Sequence, residues 1–214
     1  MFESYIMSVI IPLFPSILYT TNIETDCTEI YDDMISSCNF IKTHSTYLDS
    51  TLISNRHRVL EKYPQLKQRL FEEFYYFKNE VMRWHNTDFQ IVTSWLTKTE
   101  KGQTSQMHCH KNSFYSGVLY FDTIENVAPI EFYDLSVNSR SWSINDVPLE
   151  EINALNAESW QLSPGKNDLI FFPSHLYHRI KNHQSDQTRY SLAFNIIPVG
   201  IIGKSDSQVN FNVK

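Results

Sequence analysis

Cysteine is scarce in this chain: Cys27, Cys38 and Cys109 are all it has. An odd, scattered set gives no disulfide framework and points to a reducing compartment, the cytoplasm. Glycine is equally sparse, with 5 residues, and proline contributes 8. No Gly/Ser-rich or Pro-rich tract marks a linker, so the expectation is one domain over residues 1–214. Basic residues are outnumbered 18 to 24, leaving a net charge of −6. General binding to a nucleic-acid backbone needs clustered Lys and Arg and is therefore disfavoured. Long hydrophobic runs are missing as well. The apolar stretch from Tyr5 to Tyr19 is broken by Pro12 and Pro15 and falls short of the roughly 20 residues that span a bilayer. Near it stand Glu3 and no Lys or Arg, which speaks against a secretory signal. No membrane association is expected, and the stretch reads as a buried strand over 8–19.

What is present suffices for a core: 42% of residues are hydrophobic and 14% aromatic. Residues 26–38 read as a short helix, with Thr25 or Asp26 as cap before Ile30, Met34 and Ile35. A clearer helix follows Pro64, a residue favoured in a first turn. Leu66, Leu70, Phe74, Phe77, Val81 and Trp84 recur there at spacings of three and four. Then the period changes to two, and Phe89, Ile91, Thr93, Trp95 and Thr97 are expected to share one face. Short strand-like runs recur at 107–111, 114–121, 129–134, 168–173, 176–181 and 189–197, separated by turn residues such as Ser163-Pro164-Gly165. Helices first and strands afterwards predict a mainly β fold with flanking helices, a sandwich or jelly roll. The helical support falls mainly in 26–85 and the β core mainly in 89–200. No internal repeat is visible. Residues 135–160 are polar and irregular, and read either as a lid or as a surface insertion.

The chemistry concentrates in a few residues. His108 and His110 flank Cys109, and His178 lies far downstream, followed by Arg189 and Ser191. Alternation puts His108 and His110 on one side and Cys109 on the other. It turns His178 inward with Leu176 and Ile180. A histidine pair joined by a third inward histidine is a metal signal, since imidazole suits iron and three facial ligands leave positions open. Zinc is the alternative, with Cys109 as a possible thiolate ligand, although a small buried side chain is the plainer reading of that cysteine. Along 189–197, Arg189, Ser191, Ala193 and Asn195 face one way, and Tyr190, Leu192, Phe194 and Ile196 the other. Either Arg189 lies on a solvated strand face, or it is buried and must find an anion. A carboxylate would suit it, with the Ser191 hydroxyl adding a bond. His44, His57, His85, His175 and His183 show no comparable arrangement and read as surface residues. Trp142 and Trp160 read as lining a substrate cleft or as core packing.

At these residues the chain resembles the iron(II)- and 2-oxoglutarate-dependent oxygenases, and most closely a group of them found in bacteria and tailed phages. The resemblance is carried by His108-x-His110-x-Asn112-Ser113, Ser116-Gly117-Val118-Leu119-Tyr120, Leu169-Ile170-Phe171-Phe172-Pro173, His178, and Arg189-x-Ser191 leading to Phe194-Asn195. Pro12-Leu13-Phe14-Pro15 also looks like the start of such proteins. The resemblance implies a double-stranded β-helix (a cupin-like jelly roll), with His108 and His178 as metal ligands. It implies that Arg189 and Ser191 grip the distal carboxylate of 2-oxoglutarate, with Asn112, Tyr120 and Asn195 as further cosubstrate contacts. It implies Fe(II), 2-oxoglutarate and O2 as cofactor and cosubstrates, ascorbate as the reductant in vitro, and the host cytoplasm as location if the chain is phage-encoded. The wider superfamily has Asp or Glu where His110 stands. Here His110 either ligates or contacts substrate while two histidines hold the metal. The implied activity is hydroxylation of a substrate with release of succinate and CO2. A peptide side chain or small molecule is favoured over nucleic acid. Two rivals stay open: a three-histidine cupin-type dioxygenase that does not use 2-oxoglutarate, and a non-catalytic jelly-roll binding or structural protein.

Overall fold

A computed structural model describes residues 15–24, 27–43, 49–84, 86–122, 127–133 and 150–213. In chain order the elements are β1 (Tyr19–Asn22), α1 (Thr28–Ser36), β2 (Phe40–Lys42), β3 (Leu52–Ser54), α2 (Pro64–Tyr76), β4 (Asp88–Thr99), β5 (Tyr115–Tyr120), β6 (Ile130–Tyr133), β7 (Ser159–Leu162), β8 (Asp168–Pro173), β9 (Tyr177–Ile180), β10 (Arg189–Ile202) and β11 (Val209–Phe211). The large antiparallel sheet runs β1-β8-β5-β10-β4-β3-β2, with β11 added to the far end of β10. A smaller sheet, β7-β6-β9, faces it. The two sheets form the jelly roll, a double-stranded β-helix. Among the described residues no helix is long and apolar enough to cross a membrane.

Each face of the large sheet has its own core. Leu96, Leu119, Phe171, Leu192, Phe194 and Ile196 point toward the helices and meet Met34, Leu70, Phe74 and Phe77. Val118, Tyr120, Ile170, Phe172 and Ala193 point the other way and meet Ile130 and Phe132 of the small sheet. The helix-side core is the larger of the two. Each fully buried Leu or Phe there contributes about 1.5–3 kcal/mol.

Helix α2 starts on Pro64, whose missing N–H costs nothing in a first turn. Its Leu66, Leu70 and Phe74 form one buried stripe. At Phe77 the helix widens into a π turn, Phe77–Val81. The extra residue breaks the expected phase: Phe77 stays buried, but Val81 turns out to 49% exposure. Trp84, beyond the helix, packs edge-on to Tyr115 at 5.5 Å. Helix α1 is shorter than expected and buries Tyr31 and Met34, while the expected caps Thr25 and Asp26 lie outside the described residues. The strand expected over 8–19 begins only at Tyr19; residues 15–18 are irregular and 8–14 are not described.

β4 corrects another expectation. Its partner β10 pairs Asn195 with Thr93 but Ile196 with Ile91, so Val92 is an extra residue, a β-bulge. The bulge exchanges the faces. Phe89 and Ile91 pack into the helix-side core, as Leu96 does beyond it. Trp95 and Thr97 line the space between the sheets instead. The expected strand at 107–111 does not form; an isolated bridge joins His108 to His178. Of the segment 135–160, residues 135–149 lie outside the described part, and Ser159 and Trp160 begin β7. Trp142 is likewise outside it.

Candidate metal centre

Between the sheets lies a cavity of about 330 Å³. Its walls include Trp95 and Thr97 from β4, Val118 and Tyr120 from β5, Arg189 and Ala193 from β10, and His178 and Ile180 from β9. His108 and His110 complete it from the irregular segment before β5. A wider cleft of about 480 Å³ lies between α2 and the start of β4. Its Glu61 and Lys67 satisfy each other at 2.7 Å, and no histidine lines it among the described residues.

The three histidines converge through backbone bonding. His108 and His178 exchange N–H···O bonds of 3.0 and 2.9 Å, and the His110 N–H donates to Ser174 O at 2.8 Å. The three potential ligand nitrogens lie within 4.8 Å of one another. His178 is buried, His110 half-buried and His108 exposed. Cys109 is a free, half-buried thiol outside the group.

Two of the three rings have a fixed proton. Nδ1 of His108 meets Gln106 O at 2.8 Å, and Nδ1 of His178 meets Leu176 O at 3.0 Å. A carbonyl only accepts, so each Nδ1 carries the hydrogen and each Nε2 keeps a free lone pair. His110 Nδ1 meets Asn195 Oδ1 and Ser116 Oγ, both at 2.8 Å. Burial pushes His110 down to about 4 and His178 down to about 3, with His108 adding repulsion in both cases. These two rings are therefore neutral at physiological pH, the form that ligates a metal.

Arg189 is 2% exposed, and its Nε and Nη1 have no hydrogen-bond partner. The guanidinium carbon stands 4.9 Å from the Tyr120 ring centroid. Burial pushes the Tyr120 phenol up to about 12, against the opposing pull of the nearby guanidinium, and its hydroxyl is also unbonded. Thr99, directly across the ladder from Arg189, has a second unbonded buried hydroxyl. A buried cation without a counterion is costly. Together with two idle hydroxyls it marks a place for an anion with oxygen acceptors. A carboxylate fits Arg189, and a divalent ion suits three neutral imidazoles.

The structure thus brings His108, His110, His178, Arg189 and Tyr120 to one cavity. Ser191 is buried beside them, across from Tyr120 and Thr97. Asn195 contacts His110. Asn112 stands exposed in the turn before β5, away from the cavity lining. Thr99, Ser116 and Ser174 were not singled out from sequence as site residues; Thr99 follows from alternation once the bulge is known. Of the histidines expected on the surface, His57 and His175 are exposed, and His44 and His85 lie outside the described residues. His183 is instead fully buried, because both its nitrogens are satisfied: Nδ1 accepts from Ala128 N–H at 3.3 Å and Nε2 donates to Gln187 O at 2.7 Å.

Residues 93–195 match a family model described as "Putative 2OG-Fe(II) oxygenase". No curated protein sequence matches the chain. Among solved structures, HygX from Streptomyces hygroscopicus, with nickel, 2-oxoglutarate and hygromycin B bound, superposes with a TM-score of 0.56 at 10% identity, over 85% of this chain and 82% of that one. A prolyl hydroxylase from Trichoplax adhaerens, in complex with a hypoxia inducible factor oxygen degradation domain peptide, gives 0.59 at 11% identity over 84% and 83%. A 2OG-Fe(II) oxygenase family oxidoreductase from Burkholderia pseudomallei gives 0.55 at 10% identity over 79% and 76%. At these identities the likeness speaks for the fold.

Proposed function

We propose a reaction for this chain from one premise: over residues 93–195 it belongs to the Fe(II)- and 2-oxoglutarate-dependent oxygenases, a family of oxidoreductases. The reaction is hydroxylation of a substrate C–H bond with conversion of 2-oxoglutarate and O2 to succinate and CO2. His108, His110 and His178 would hold the iron through Nε2, and Arg189 would take the distal carboxylate of 2-oxoglutarate, flanked by Ser191 and Tyr120. The observation that carries this reading is the buried Arg189, with two idle donors, in the same cavity as three imidazoles whose ligand nitrogens lie within 4.8 Å of one another.

When bound, the iron supplies the oxygen activation that couples decarboxylation of the oxo acid to hydroxylation. The chain's residues position and protect. Arg189 orients the cosubstrate by a charge-assisted bond in a dry setting, where such bonds are strong. Tyr120 stays a neutral donor, since burial holds its phenol at about 12. Val118, Ile180, Ala193 and Trp95 keep the cavity apolar and limit stray water. His110 and His178 need shed no proton to ligate at neutral pH.

The substrate class proposed is a peptide side chain or a small molecule. The net charge of −6 supports this over nucleic acid, and the structural neighbours include one in complex with a peptide and one with hygromycin B bound. Three imidazoles also suit a cupin-type dioxygenase without 2-oxoglutarate, but that reading leaves Arg189 without an anion. The test is anaerobic loading with Fe(II), then O2, ascorbate and 2-oxoglutarate, with succinate measured. Wild type should release succinate, His178→Ala should not, and Arg189→Ala should need much more 2-oxoglutarate. Wild type as silent as His178→Ala across several candidate substrates sinks the proposal.

A further inference from the structure

The three imidazoles are not held in the same way. His108 and His178 each donate Nδ1–H to the backbone carbonyl two residues earlier. That contact is local and survives most side-chain changes. The equivalent acceptor for His110 would be the carbonyl of His108, but that oxygen already accepts the His178 N–H at 2.9 Å. His110 Nδ1 instead meets side chains from two other strands, Asn195 of β10 and Ser116 of β5.

Asn195 Oδ1 lies 2.8 Å from His110 Nδ1 and also accepts Ser116 Oγ–H at 3.0 Å. Asn195 and Ser116 are direct partners in the β10–β5 ladder. Behind them Ser116 Oγ meets Ser174 Oγ at 2.8 Å, Ser174 donates to Ser113 Oγ at 2.9 Å, and Ser113 donates to the Ile196 and Tyr115 carbonyls. Ser174 gives its hydrogen to Ser113, so the single Ser116 hydrogen is shared between two acceptors, Asn195 Oδ1 and Ser174 Oγ, and either choice directs it away from His110. Ser116 and Ser174 are 1% and 0% exposed, so water cannot readily take over. The network therefore faces His110 Nδ1 with acceptors, and His110 must carry its hydrogen there.

We infer that Asn195 is a positioning residue: with Ser116 it locks His110 in the Nδ1–H tautomer and aims its Nε2 at the other two imidazoles, so that His110 serves as the third metal ligand. This rests on the proposed iron site but is read independently of turnover. Partners of this kind behind a ligating histidine typically change metal affinity 10–100-fold. The inference replaces the expectation that Asn195 touches the cosubstrate.

The test uses the metal-free full chain and Ni(II) as a redox-silent probe. Long-range ¹H–¹⁵N NMR at pH 7 should show wild-type His110 as the Nδ1–H tautomer; finding it as Nε2–H, which requires the Asn195 amide reversed, overturns the inference without any variant. Asn195→Leu should weaken Ni(II) binding by about 10–100-fold and release the His110 tautomer while His108 and His178 keep theirs. Asn195→Asp, which still accepts the hydrogen, should recover most of the affinity. A leucine variant that binds Ni(II) like wild type, or that loses only 2-oxoglutarate affinity, also overturns it. Failure of the oxygenase proposal reads differently: wild type would release no succinate while the tautomer stayed as inferred.

Discussion

A buried histidine and a ligating histidine differ in one detail that this fold shows side by side. His183 is as buried as any residue in the chain, yet both its nitrogens are bonded, and it has nothing left to offer a ligand. The histidines at 108, 110 and 178 are each satisfied at Nδ1 only. Arg189 shows the same logic for a cation. It is surrounded by a well-formed strand ladder, yet two of its donors have no partner. A fold selected for stability alone would place an apolar residue there, because an uncompensated buried charge opposes folding. Arg189→Met should accordingly stabilise the ligand-free protein, by about 1–3 kcal/mol, while removing the added stability that 2-oxoglutarate confers on the Ni(II)-loaded form. Denaturant midpoints with and without 2-oxoglutarate read both effects. A less stable variant that still responds to 2-oxoglutarate would assign Arg189 a structural role.

At the scale of elements, the close approach of β5 to β10 governs how well the sheet covers the helix-side core. Gly117 lies opposite Phe194, and a Cβ built there would stand 2.2 Å from Cζ of that ring. The ring cannot swing clear, since it is fully buried and packed edge-on to Phe171 at 6.0 Å. Gly117→Ala should therefore cost about 1–3 kcal/mol through overpacking, measured as a shift in the unfolding midpoint. An unchanged midpoint would show that β5 can move away from β10. The same elements show what a sequence reveals. β10 has unbroken alternation over 189–197, so the row Arg189, Ser191, Ala193 and Asn195 was legible at once. The bulge at Val92 was not, because it is defined by the register of β10, and so the expected face of β4 was wrong at Phe89 and Ile91. The π turn at Phe77–Val81 hid for a related reason: the spacing of three and four persists through Phe77 and fails only at Val81. Strands of three or four residues, such as β2, β3 and β7, are too short to show a period. The shared side of His108 and His110 was anticipated from strand alternation, but an isolated bridge and a bond to Ser174 produce it. The contact between Asn195 and His110 joins residues far apart in sequence, and no local pattern encodes it.

At the scale of the whole molecule, the two cores respond differently to conditions. The helix-side core is built chiefly of apolar side chains, but the cavity side contains neutral imidazoles that an unfolded chain would protonate. His110 and His178 are held down to about 4 and about 3, chiefly by burial, against an ordinary value of 6.5. Between pH 6.5 and those values the unfolded chain binds more protons than the folded one, so stability rises with pH across that window and falls as pH drops through it. The slope is at most about 1.4 kcal/mol per pH unit for each ring, so up to roughly 4 kcal/mol separates pH 6.5 from pH 5 for the two together. Unfolding curves of the metal-free protein at pH 7.5, 6.5, 5.5 and 5 should show a plateau above 6.5 and a decline below. His178→Gln, which cannot titrate, should flatten that decline. Metal binding acts on the same nitrogens with the opposite sign. At a free metal concentration 100 times its dissociation constant, the native state gains about 2.7 kcal/mol. For a chain of this size that is a rise of roughly 5–11 °C in Tm, which EDTA should reverse. A Tm indifferent to Ni(II) at pH 7, together with a pH decline unaltered in His178→Gln, would mean that the three imidazoles are packing residues and that no ion links them.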